Sequence, residues 1–163
     1  IGTVYYKKKD YANAEQHFRK ALELNPETAT AHFNLAQLYE DKGNLQRALE
    51  EYQAELIVAP KNVKAHFNMG RLYMKTGQVD SGIQHMGSAI EAEPEFAIGH
   101  LFLAQALIEK GDLIKAKEHA EKGLALNPSP EYRPLGHFVL ADIYNRQGLY
   151  DLEQQELRKA KAL

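Results

Sequence analysis

Four prolines, Pro26, Pro60, Pro94 and Pro128, stand 34 residues apart, and each closes an apolar-rich segment: ALELNP, ELIVAP, AIEAEP and GLALNP. Glycines keep the same interval at Gly43, Gly77 and Gly111, and Gly148 follows three residues late. A fixed period of this length is the mark of stacked repeats, in which each unit is one supersecondary element that cannot bury its apolar face alone.

Within a unit the apolar spacing is helical. His32, Leu35, Ala36 and Tyr39 fall at i, i+3, i+4 and i+7, and after KGN the pattern resumes with Leu45, Ala48, Leu49, Tyr52 and Leu56. Each unit is therefore expected to be a helix, a tight turn at glycine, a second helix and a proline break, with the two helices antiparallel. Glycine tolerates the left-handed backbone of such a turn, and proline disfavours helix in the residue before it. Small residues recur where the helices should cross: Gly2, Ala36, Gly70, Ala104 and Ala141 on the first helix, and Ala14, Ala48, Gly82 and Ala116 on the second. Helices about 8–10 Å apart leave little room for side chains at the contact. Large residues flank them, Tyr5, Tyr39, Tyr73, Leu107 and Tyr144 on one side, with Phe18, Tyr52 and Met86 opposite.

On these columns the chain resembles the tetratricopeptide repeat family over essentially its whole length. The resemblance implies an all-α fold, a right-handed superhelical solenoid of antiparallel helix pairs. About five repeats are expected in a single array over 1–163, at roughly 1–28, 29–62, 63–96, 97–130 and 134–163. The first and last units are expected to be incomplete, the chain being an excerpt of a longer protein or one with disordered ends, with terminal helix faces open to self-association. Histidine stands where the family has tryptophan, Glu55 and Glu153 occupy alanine slots, and the second helix of the fourth copy is thinned to Ala120 and Gly123. The segment PSPEYRP at 128–134 adds three residues, so a bend or altered stacking angle is expected between the fourth and fifth units.

The net charge of −2 gives no electrostatic footprint for nucleic acid or an anionic membrane, and no apolar run approaches the roughly 18 residues of a membrane span. No nucleic-acid partner, membrane insertion or cofactor is expected. The absence of cysteine removes thiolate metal sites and cysteine nucleophiles and leaves the compartment open. All seven histidines fall in two columns: His32, His66, His100 and His137 on first helices, and His17, His85 and His119 on second helices, where Glu51 and Glu156 fill the gaps. Equivalent residues in stacked repeats lie about 10 Å or more apart. A metal site would need the two columns to converge, and their regularity argues for packing instead. No metal site and no catalytic residue is expected; GRLYMKTG at 70–77 lacks the glycine before lysine that a phosphate loop needs and falls on an expected helix.

The family resemblance implies that first helices line the concave side. There it places Phe33, Asn34 and Gln37 in the second copy and Lys64, Phe67, Asn68, Arg71 and Lys75 in the third. Leu101, Phe102 and Gln105 follow in the fourth, and Phe138 and Asp142 in the fifth. Phe33, Phe67, Leu101 and Phe138 would form an apolar ladder for a protein or peptide partner, either open to solvent or covered by neighbouring helices. Asn34 and Asn68 are similar to the asparagine ladder of the O-linked N-acetylglucosamine transferase repeats. Asn34 and Lys64 match parts of the chaperone-tail carboxylate clamp, from which Thr3 and Asn68 depart. The expected function is a protein-interaction scaffold that takes a peptide or helix in its groove without catalysis of its own. The rival is an accessory region of a larger enzyme, such as a glycosyltransferase or hydrolase, that recruits substrate or mediates dimerisation.

Overall fold

A computed structural model describes residues 1–28 and 30–162. The outermost residues expected for the second and fifth repeats, 29 and 163, lie outside the described residues. Among the described residues ten helices follow in order: α1 (Gly2–Lys7), α2 (Tyr11–Leu24), α3 (Ala31–Asp41), α4 (Leu45–Val58), α5 (Val63–Lys75), α6 (Val79–Ala92), α7 (Ala97–Lys110), α8 (Leu113–Ala125), α9 (Arg133–Arg146) and α10 (Tyr150–Lys161). Among the described residues all regular secondary structure is helical. The helices pack as five consecutive pairs, α1/α2 to α9/α10, and each pair packs on the next. First helices of neighbouring pairs also touch, α5 with α7 and α7 with α9, with no comparable contact between second helices among the described residues. From the third pair to the fifth the array therefore curves toward the first-helix side.

The turns follow from backbone sterics. Gly43, Gly77, Gly111 and Gly148 have φ of +74°, +77°, +86° and +74°. In the first pair the same place is taken by Lys9, with φ +60°, a left-handed residue that pays for its Cβ. The next residue starts the second helix: Asp10, Asn44 and Asp112 each accept, through the side chain, the backbone N–H of the third helical residue.

Buried side chains form two core clusters. One runs from Ala14 and Phe18 to Met69 and Leu72. The other runs from Met86 to Ile143 and Tyr144. They meet inside the third pair, where Gly70 of α5 crosses Gly82 of α6. A Cβ added to either glycine would lie 3.2 Å from the other's carbonyl oxygen, so the backbones approach as closely as side-chain-free residues permit. Met86 and Met74 fill the space beside them: an added Cβ would fall 2.7 Å from Met86 Cγ at Gly70, and 2.6 Å from Met74 Sδ at Gly82. In the second and fourth pairs the same places hold fully buried alanines, Ala36 and Ala48, and Ala104 and Ala116.

Two departures from the family pattern have structural roles. Glu55 is buried, yet both of its oxygens are satisfied: Oε2 accepts the Phe33 backbone N–H at 3.2 Å and Oε1 accepts from Asn62 Nδ2 at 2.8 Å. It thus caps α3, whose own Thr30 makes no side-chain cap. The inserted loop before α9 is braced by Arg133, which donates to the Pro128 carbonyl and to Asn127 Oδ1, and α9 packs on both α7 and α8.

Because nothing lies within 4 Å of a Cβ built at Gly77, a substitution there meets only backbone strain. Gly77→Ala is expected to lower unfolding stability by about 1 kcal/mol and Lys9→Gly to raise it by about 0.5–1 kcal/mol, measured by urea denaturation. A destabilising Lys9→Gly would contradict the reading of this turn.

Candidate partner-binding groove

On α5, Lys64, Asn68, Arg71 and Lys75 recur at helical intervals along one edge of the concave side. Between α5 and α7 this edge opens into a cleft of about 330 Å³, lined by Arg71, Met74, Lys75, Met86, Phe102, Gln105, Ala106 and Glu109. The floor is apolar: Met74, Met86, Phe102 and Ala106. Arg71 and Lys75 stand on one wall, Gln105 and Glu109 on the other. The cleft adjoins the Gly70–Gly82 crossing, where the floor methionines are unbranched and adaptable.

Arg71 is held in place by a closed ring of hydrogen bonds. It donates to Glu40 at 3.3 Å and to Asn68 Oδ1 at 3.2 Å; Asn68 donates to the Tyr52 hydroxyl at 2.9 Å, and Tyr52 donates to Glu40 at 3.3 Å. Burial, with the Glu40 charge, raises the Tyr52 pKa far above its ordinary value, so the hydroxyl stays a donor. The guanidinium also lies 5.9 Å from the centre of the Phe67 ring.

The expected apolar ladder is not continuous. Phe33 is half-buried, edge-on to Tyr52 at 5.6 Å, and Phe67 is wedged between Phe96 and Phe102 at 5.1 and 5.2 Å. Leu101 is 0% exposed and is not a groove residue. A Cβ at Gly123 would lie 2.5 Å from its Cδ2 and one at Gly136 3.1 Å, so two glycines form a slot for it. Phe138 is 47% exposed, and Asp142 beside it is paired with Arg146 at 3.0 Å. Asn68 is engaged by Tyr52 and Arg71. Asn34 lines a separate hollow with Thr3, Phe18 and Thr30. Lys64 and Gln105 are exposed and Gln37 is half-buried. Met74, Met86, Ala106 and Glu109 were not among the expected site residues; paired glycines at 70 and 82 are the signal that places the methionines.

The two histidine columns do converge, contrary to expectation, because residues 19 apart face each other across the second to fifth pairs. His66 Nδ1 lies 3.1 Å from His85 Nδ1, and His100 Nδ1 lies 2.9 Å from His119 Nδ1. His32 and His137 meet Glu51 and Glu156, each at 2.7 Å. Burial raises the Glu156 pKa, but hydrogen bonds from Lys159 and His137 outweigh it and hold the carboxylate below the usual range. These are pairs: among the described residues no group of three or more His, Asp or Glu is arranged to hold a metal.

The sequence profile of the tetratricopeptide repeat family matches residues 1–63 and 67–129. No curated protein is similar enough to count as a relative. Among solved structures, MamA superposes with a TM-score of 0.88 at 21% identity, covering 99% of this chain and 93% of its own. PilF of Pseudomonas aeruginosa gives 0.81 at 24% identity, covering 98% and 72%. YrrB, a tetratricopeptide repeat protein with an unusual peptide-binding site, gives 0.83 at 18% identity, covering 98% and 80%. At these identities the likeness is one of fold.

The burial of Leu101 and the exposure of Phe138 have opposite consequences for truncation. Leu101→Ala is expected to cost about 2–5 kcal/mol of unfolding stability, and Phe138→Ala within about 0.5–1 kcal/mol, by chemical denaturation. Equal losses would contradict this placement.

Proposed function

The chain belongs to the tetratricopeptide repeat family, and from that premise we propose that it is a protein-interaction scaffold whose concave groove takes a peptide or helix of a partner, with no catalysis of its own. The observation that carries this reading is the cleft between α5 and α7, where an apolar floor lies between a wall bearing Arg71 and Lys75 and one bearing Gln105 and Glu109. An apolar side chain of the partner fits against Met74, Phe102 and Ala106, while a carboxylate beside it meets Arg71 and Lys75. Lys64 extends the cationic edge toward the start of α5. The description of YrrB as peptide-binding adds a precedent on the same fold.

The pinned Arg71 favours affinity, since its side chain is ordered before a ligand arrives. Burying one or two apolar side chains supplies about 1.5–3 kcal/mol each, and with a charge-assisted hydrogen bond this gives a micromolar interaction after the costs of association.

The test uses an array of short acetylated peptides that place Leu or Phe beside Asp or Glu, with matched peptides carrying Lys instead. The acidic set is expected to bind, and Phe102→Ala and Lys75→Glu are each expected to weaken binding about tenfold or more by calorimetry. Equal binding of both sets, or binding lost only with Ile57→Asp or Ile114→Asp on exposed second-helix positions, would overturn the reading.

A further inference from the structure

The histidines of the third and fourth pairs are bonded differently from those of the second and fifth. His66 Nε2 lies 3.0 Å from the Pro60 carbonyl oxygen, and His100 Nε2 lies 3.1 Å from that of Pro94. A carbonyl only accepts, so Nε2 carries the proton, and the neutral ring presents a lone pair at Nδ1. His85 and His119 must then donate from Nδ1, leaving their own Nε2 as the remaining acceptor. One further proton fits on that outer nitrogen. A second, on Nδ1 of His66 or His100, would set two N–H groups face to face about 3 Å apart and break the contact. In the second and fifth pairs the partner is a carboxylate, Glu51 or Glu156, which accepts from a ring N–H and so needs no lone pair on the histidine.

Each relay ties the two helices of its pair together, α5 to α6 and α7 to α8. His66–His85 bridges α5 and α6 at the junction of the two core clusters, beside the Gly70–Gly82 crossing, and Tyr73 stacks on His85 at 5.4 Å. His100, 2% exposed, joins α7 to α8 through His119.

We propose that the two His–His relays make α5 to α8 an acid-sensitive section of the array, which loosens below about pH 6.5 while the His–Glu pairs on either side hold.

Burial is the main cause that depresses the pKa of His85, His100 and His119 below the ordinary 6.5. His66 on α5 adds to it at His85. At His119 the further cations are His100 on α7 with Lys122 and Lys115 on α8, opposed by Glu118; Lys122 also faces His100, where the Pro94 carbonyl opposes it. Among the described residues histidine ion pairs are confined to His32 and His137. With folded-state values depressed, the unfolded chain binds more protons below pH 6.5. Stability is full above that pH and declines as pH falls through the folded-state values. This behaviour belongs to the array itself, with or without a ligand in the groove.

Hydrogen exchange followed by mass spectrometry, with labelling times corrected for pH, tests this at about pH 7.5 and about pH 5.5. Amides of α5–α8 are expected to lose about tenfold or more protection relative to α3–α4 and α9–α10 on acidification. His85→Glu with His119→Glu rebuilds the pairs on the pattern of the flanking repeats and is expected to remove that selective loss, as is His85→Gln with His119→Gln, which cannot titrate. Circular dichroism at neutral pH identifies which variant folds, and that one is read. A loss spread evenly over all helices, or a folded variant that keeps the selective loss, would overturn the proposal.

Discussion

Helix pairs in this protein are set by how closely two backbones cross, and everything else is arranged around that contact. Where alanine meets alanine, as at Ala36 and Ala48, large neighbours such as Tyr39 and Tyr52 fill the flanks and are themselves fully buried. In the third pair glycine meets glycine, and the flanking residues are Met74 and Met86. A thioether chain has three rotatable bonds and fits an irregular space without fixing it. The core accordingly divides at this crossing, and the concave cleft opens beside it. One local choice, glycine over alanine, thus links a packing feature to the candidate binding site.

Polar groups give the groove its order. Glu40, Tyr52, Asn68 and Arg71 satisfy one another in a ring that spans α3, α4 and α5, and Glu55 caps α3 from the neighbouring helix. Buried polar groups that are fully paired fix orientation, whereas a missing partner would leave a costly unmet donor or acceptor. The groove therefore presents a fixed guanidinium above an adaptable apolar floor. That combination suits recognition of an acidic residue next to an apolar one.

Much of the fold was legible because the period, the glycine turns and the small-residue columns are local signals that repeat. Lys9 shows the limit: the turn it makes is the same as at Gly43, but a lysine gives no sign of left-handed backbone. Leu101 shares its place in the repeat with Phe33 and Phe67, yet it is buried because Gly123 and Gly136, on two other helices, leave a slot for it. That slot depends on how α8 and α9 pack on α7, which a column of residue types does not record. The histidine columns were visible, and their separation by 19 residues was fixed in the sequence. What periodicity could not supply was the angle at which each side chain leaves its helix, and so the pairing across the turn was missed.

All three methionines of the chain, Met69, Met74 and Met86, lie in the third pair, two of them on the cleft and Met69 in the first core cluster. Their ε-methyl resonances, followed by carbon-edited NMR as a peptide pairing Phe with Asp is added, test directly whether this crossing is the binding site. Saturable shifts of the Met74 and Met86 methyls are expected, with Met69 unmoved. Saturable binding that leaves Met74 and Met86 in place would contradict that assignment.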